Sequence, residues 1–167
     1  MVDGKSGKER GVNIDEKKKT WFFQRICRLF EEQLPFNRVL GLRVMQVDQE
    51  GATMRFPMRD DLVGNSFQRT LHGGVISAVL DAVGGLTVLA SLVERAAGKS
   101  EENATDMISR TGTIDLRVDY LRPGRGQWFA ASGRIMRAGR KVAVARMEMH
   151  NHDDLLVAVG TGTYMIG

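Results

Sequence analysis

The chain has 167 residues, 43% of them hydrophobic, 26% charged and 7% aromatic, with one cysteine and three prolines. That profile describes one globular core rather than two domains, and at this size about 70% of the unfolded chain's surface is buried without covalent or metal staples. Cys27 has no partner for an internal disulfide, no Cys/His spacing suggests zinc, and the formal charge of +4 raises a nucleic-acid role that only the placement of the basic residues can answer.

Residues 1–18 are polar and lysine-rich and read as a flexible tail ahead of a single domain spanning 19–167. The first twenty residues hold no apolar run of signal-peptide length, so the expected location is the cytoplasm, which the single thiol suits. From Trp21 to Leu34 the spacing predicts an amphipathic helix with Phe22, Ile26, Leu29 and Phe30 on one stripe, ended by Pro35. Leu42–Asp48 and Ala52–Met58 alternate as strands and are close enough for a hairpin, and Arg59–Leu71 reads as loop.

A long apolar helix is predicted from Gly73 to about Ala97, stopped by Gly98, Lys99 and a polar stretch through Asp106. Within it Val75–Val93 carries Asp81 as its only charge, yet a mid-helix Asp costs about 2.5–3.5 kcal/mol on insertion and five Gly, Ser and Thr residues dilute the hydrophobicity. A helix buried inside a protein fits better than a membrane span. Four strands follow, at about Ile108–Leu121, Gln127–Arg137, Arg140–Asn151 and Leu155–Ile166. The order predicts an α+β fold in which one antiparallel sheet wraps around the long central helix, with an additional N-terminal helix.

The residues that point to chemistry lie where that helix begins. His72, Gly73 and Gly74 precede it, and glycines there leave backbone N–H groups uncovered at the positive end of the helix dipole. Donors so placed suit the oxyanion of an acyl-transfer reaction. Asp81 follows two turns on, and its helical neighbours Ser77, Ala78, Gly84 and Gly85 are all small, so its carboxylate faces cleared space. A buried Asp needs a partner or a function. The local partner on offer is Ser77.

Asn65, His72-Gly73-Gly74 and Asp81, followed by the run Gly112 to Gly124, resemble the hotdog-fold acyl-CoA thioesterases of the PaaI type. Pro35-Phe36-Asn37-Arg38 and Lys141 to Arg146 extend the likeness from about Pro35 to Gly167, and within that family the chain resembles the bacterial YigI group of medium- and long-chain acyl-CoA thioesterases. The resemblance implies a hotdog fold and hydrolysis of acyl-CoA to free fatty acid and coenzyme A. Coenzyme A is then part of the substrate, with no cofactor and no metal. It places Asp81 as general base or nucleophile, the Gly73 amide on the thioester carbonyl, Asn65 and His72 as orienting groups, and Thr113 on the attacking water, with Gly74 and Ser77 beside the substrate. Asn65 lies seven residues before His72, where some relatives have six. Strand parity groups Thr113 with Asp115 and Arg117, away from the core, unless a bulge near Gly112 turns it inward.

Gly73 and Asp81 are eight residues apart, or ~12 Å along a helix, too far to act on one carbonyl within one chain. Two antiparallel helices crossing at Ala78, Gly84 and Gly85 would bring one chain's amide to the other's Asp81. The resemblance implies the same arrangement. A homodimer, or a dimer of dimers, is therefore expected.

Between Leu121 and Lys141 six basic residues stand without an acid, and Arg122, Arg137, Arg140 and Lys141 are the candidates for the coenzyme A phosphates. Nucleic acid is not expected, because the aromatics that would stack on bases are sparse there. The competing expectations are a non-catalytic acyl-CoA-binding module and a thioesterase for aryl-acyl-CoA such as phenylacetyl-CoA. The helix Trp21–Leu34 is read as packing on the sheet edge or capping an acyl pocket.

Overall fold

A computed structural model describes residues 14–166. Helix α1 (Ile14–Arg28) has Asp15 and Glu16 in its first turn and Arg25 and Arg28 in its last, which matches the helix dipole at both ends. Its buried stripe of Phe22 and Ile26 continues to Phe30 in a single π turn, Leu29–Gln33. Residues 14–18, expected as tail, are thus the start of this helix, and residues 1–13 lie outside the described residues. Pro35 does more than end the preceding helix. It opens the short helix α2 (Pro35–Leu40) at a position where no amide hydrogen is needed.

Strands β1 (Arg43–Val47) and β2 (Gly51–Pro57) form the expected hairpin, closed by the Asp48 carboxylate accepting the Glu50 and Gly51 amides at 2.9 and 3.1 Å. The stretch read as loop contains a small second sheet, β3 (Val63–Asn65) with β4 (Thr70–Leu71), which delivers His72 to the start of the central helix. That helix, α3 (Gly73–Ala90), ends earlier than predicted. The Ser91 hydroxyl donates to the Val88 carbonyl at 2.7 Å, Leu92 leaves helical geometry, and α4 (Val93–Ala97) restarts as a separate turn. The polar stretch read as a stop is itself helix α5 (Glu101–Ser109), capped by Ser100 and burying Ala104, Met107 and Ile108.

The last four strands are β5 (Gly112–Tyr120), β6 (Trp128–Ala138), β7 (Val142–Asn151) and β8 (Leu156–Met165). All six long strands form one antiparallel sheet in the order β1-β2-β6-β7-β8-β5. Strict alternation on β7 buries Ala143, Ala145, Met147 and Met149, and the same face of β2 buries Ala52, Met54 and Phe56. Helix α3 lies across this face, against β2, β5, β6, β7 and β8. It is long and apolar enough to span a bilayer, but more than half of it is buried within the protein. The sheet wrapped around a central helix is the hotdog arrangement. Strand β5 sits at the sheet edge, with one side unpaired among the described residues.

Candidate active site

Asp81 stands in the third turn of α3, half-buried, and the Thr113 hydroxyl donates to its Oδ1 at 2.8 Å. Simple alternation would turn Thr113 away from the helix. Register in the β5–β8 pairing slips between Thr113 and Asp115, so a bulge at Ile114 resets the parity and brings the hydroxyl to Asp81. Ser77, the local alternative, is committed elsewhere: its Oγ donates to the carbonyls of Gly73 and Gly74 at 3.3 and 3.1 Å. Thr113 is the carboxylate's one hydrogen-bonding partner among the described residues.

Below Asp81 lies Tyr164, almost fully buried, whose hydroxyl donates to the Asp81 backbone carbonyl at 3.2 Å. Its ring occupies space that two glycines leave open. A Cβ on Gly84 would overlap the Tyr164 hydroxyl, and one on Gly162 would lie 2.7 Å from it. Burial pushes the phenol far above its ordinary pKa, and the Asp81 charge adds to the effect, so it stays a proton donor under all ordinary conditions. Gly84 is therefore filled from within the chain, and Gly85 faces Phe30. Of the three small residues through which a helix crossing was expected, Gly84 is thus filled by the chain's own Tyr164, while Ala78 and Gly85 line the cavity.

Asp81 and Thr113 open onto a cavity of about 490 Å³, in the usual size range of small-molecule sites. One wall is α3, through Ala78, Ala82, Gly85 and Leu89. The facing wall is Leu29 and Phe30 of the π turn with Leu34 and Phe36 beyond it, and Ile108 of α5 joins them. Arg25, Thr105, Ser109 and Thr111 add polar groups to the lining. The π turn is pinned in place. Asn37 Nδ2 donates to the Phe30 carbonyl at 3.1 Å, and the Glu31 carboxylate accepts the Val44 amide at 2.7 Å.

At the other end, His72 is the N-cap of α3, and its Nδ1 accepts the Gly74 amide at 2.9 Å. That bond takes the Gly74 donor, while the Gly73 amide has no hydrogen-bond acceptor among the described residues. Tyr120, at the far end of β5, donates to the Gly73 carbonyl at 3.1 Å and fixes this turn. So β5 carries Thr113 beside Asp81 at one end and Tyr120 beside Gly73 at the other. The two halves of the expected site stand apart by eight residues of helix, ~12 Å.

Residues 68–158 match the thioesterase superfamily. Over 142 residues the chain is 48% identical to the medium/long-chain acyl-CoA thioesterase YigI of Escherichia coli strain K12, a match covering 85% of this chain and 92% of that one. The chain belongs to the thioesterase superfamily. A solved Shewanella oneidensis structure related to the same superfamily superposes with a TM-score of 0.86 at 44% identity, covering 89% of this chain and 97% of that chain.

Other residues expected in the thioesterase site are placed less directly. Asn65 uses its side-chain carbonyl to accept the Gln68 amide at 3.1 Å within its own exposed loop, and no bond joins it to Asp81. The four basic candidates separate. Arg122 follows β5 at the Gly73 end and donates to the Leu156 carbonyl at 2.9 Å. Arg137, Arg140 and Lys141 are exposed around the β6–β7 turn, which register through Val142, Met165 and Gly112 places at the Thr113 end. Tyr164, and Phe36 and Leu89 in the cavity wall, were not expected from sequence, whereas Phe30 and Leu34 belong to the helix read as packing on the sheet edge or capping an acyl pocket. The paired glycines at 84 and 85 were the one signal that something large had to fit there.

Proposed function

We propose that this chain hydrolyses the thioester of medium- and long-chain acyl-CoA, with Asp81 and Thr113 at the reacting carbon. The Asp81–Thr113 pair opening onto an apolar cavity carries the reading, and the 48% identity to a medium/long-chain acyl-CoA thioesterase supports it. Asp81 either takes a proton from water as the water oxygen attacks the carbonyl carbon, or attacks that carbon itself to give a mixed anhydride that water then opens. In both routes the carbon–sulfur bond breaks and the coenzyme A sulfur leaves as thiolate, taking up a proton. Thr113 holds Asp81 in line for this.

The oxyanion donor is the Gly73 amide of a second copy. Strand β5 is a nine-residue edge strand on which Ile114 and Tyr120 are more than half exposed. An edge of that length and composition calls for a partner. Antiparallel pairing of two β5 strands sets one copy's Tyr120 and Gly73 beside the other's Thr113 and Asp81, giving two composite sites in a homodimer. The same pairing brings Arg122 of one copy toward Arg137, Arg140 and Lys141 of the other, a basic rim for the coenzyme A phosphates. His72 serves by capping the turn that presents Gly73. The enzyme is of the PaaI type, acts in the cytoplasm, and uses no cofactor.

The test is thiol release from palmitoyl-, decanoyl- and phenylacetyl-CoA. Release from the two fatty substrates is expected. Binding without release would replace this reading with a non-catalytic acyl-CoA module, and release from phenylacetyl-CoA alone would move the substrate to aryl-acyl thioesters.

A further inference from the structure

The wall facing Asp81 comes from a part of the chain that lies outside the sheet and its central helix. Ala78, Ala82, Gly85 and Leu89 recur every three or four residues, so they form one continuous stripe along α3 that starts beside Asp81. From Asp81 to Leu89 the helix rises ~12 Å. Across from this stripe stand Leu29 and Phe30 of the π turn. That turn closes with the Leu34 amide donating to the Leu29 carbonyl at 3.0 Å, a five-residue step that adds one residue to the helix.

Gly85 faces Phe30 across this groove. A Cβ there would meet Phe30 Cζ at 3.7 Å and Tyr164 Cε1 at 3.9 Å, ordinary contacts, so alanine fits and anything longer must project into the channel. Leu89 stands one turn further on. The backbone that carries Phe30 is held in place, because its carbonyl accepts from Asn37 and the neighbouring Glu31 is bonded to β1.

We propose that this groove between α3 and the N-terminal π turn holds the acyl chain, and that Gly85 and Leu89 set how much of it fits. The proposal rests on the thioester hydrolysis assigned above. A saturated chain advances about 1.25 Å per carbon for a carbon–carbon bond of about 1.5 Å. The stretch to Gly85, ~6 Å of helix, then accommodates about five carbons, and the stretch to Leu89 about ten. The ligand class is a straight, unbranched acyl chain; about ten carbons reach Leu89, and a longer chain has to pass it.

Three variants decide it: Gly85→Leu, Gly85→Ala and Leu89→Ala, each assayed for kcat/KM on hexanoyl-, decanoyl- and palmitoyl-CoA. Gly85→Leu lowers the ratio of decanoyl to hexanoyl activity by about tenfold or more, the scale on which an apolar pocket discriminates by size. Gly85→Ala shifts the same ratio in the same direction by less, and its ordinary contacts keep it folded if the leucine variant fails to fold. Leu89→Ala raises the ratio of palmitoyl to decanoyl activity. Wild-type ratios in Gly85→Ala and Leu89→Ala would overturn this inference while leaving hydrolysis intact. A wild-type protein that releases no thiol from any of the three substrates would instead overturn the activity itself.

Discussion

Replacing Gly84 with alanine tests the link between packing and the catalytic carboxylate. The added Cβ would overlap the Tyr164 hydroxyl and come within 2.8 Å of its Cζ and 3.0 Å of Met147 Sδ, on a fully buried side of α3. Overpacking of this kind costs about 1–3 kcal/mol. Moving Tyr164 also breaks its bond to the Asp81 carbonyl, worth about 1 kcal/mol. The gain in helix propensity returns about 1 kcal/mol. The balance is a loss of about 1–3 kcal/mol, which for a chain of this size lowers Tm by about 2–4 °C per kcal/mol. Thermal unfolding measures this directly. The double variant Gly84→Ala with Tyr164→Phe removes the overlapping oxygen, so the two changes should couple by at least about 0.5 kcal/mol. A Gly84→Ala protein as stable as wild type, or effects that simply add, would refute the fit between Gly84 and Tyr164.

Thr113→Val keeps the strand-favouring shape and removes the donor to Asp81; a charge-assisted bond worth about 1.5 kcal/mol predicts a kcat about tenfold lower with KM little changed, and an unchanged kcat would remove Thr113 from the mechanism. Burial, and after it the Asp81 charge, raises the Tyr164 pKa in the folded protein above its ordinary value of 10.0, so its stabilisation is complete below about pH 10 and falls as pH rises beyond it. Urea unfolding above pH 10 should show wild type losing up to about 1.4 kcal/mol per pH unit that Tyr164→Phe keeps, and parallel curves would contradict the buried phenol. Gly73→Pro removes the free amide at the first helical position, where proline is tolerated. Mixed with Asp81→Asn after subunit exchange, it should regain activity that neither variant has alone, because a composite dimer then holds one intact site; no recovery would argue for a site within one chain.

Much of the architecture was open to inspection in the sequence, because period-two strands and a long apolar helix are local patterns. The exceptions have local causes too. Ser91 breaks the central helix through a side-chain bond to Val88, and α5 hides in a polar stretch because only Ala104, Met107 and Ile108 face inward. Asp81 was conspicuous as a lone charge among small neighbours. Thr113 was ambiguous, since its inward turn depends on a bulge that strand alternation does not encode. Tyr164 was invisible, because its partner is 83 residues away and only the emptiness at Gly84 and Gly162 marks the place. The local bond by which Asn65 accepts the Gln68 amide was likewise not legible, because nothing in its spacing from His72 announces that turn.

The central claim is that Asp81 drives thioester cleavage, and Asp81→Asn measures it most directly. Asparagine is nearly the same shape and still accepts the Thr113 hydroxyl, so the fold and acyl-CoA binding should survive. The account predicts that thiol release from decanoyl-CoA falls by about 10²–10⁴, the range lost with a general base, while unfolding and substrate binding stay near wild type. An Asp81→Asn protein that folds normally and hydrolyses decanoyl-CoA at close to the wild-type rate would contradict it.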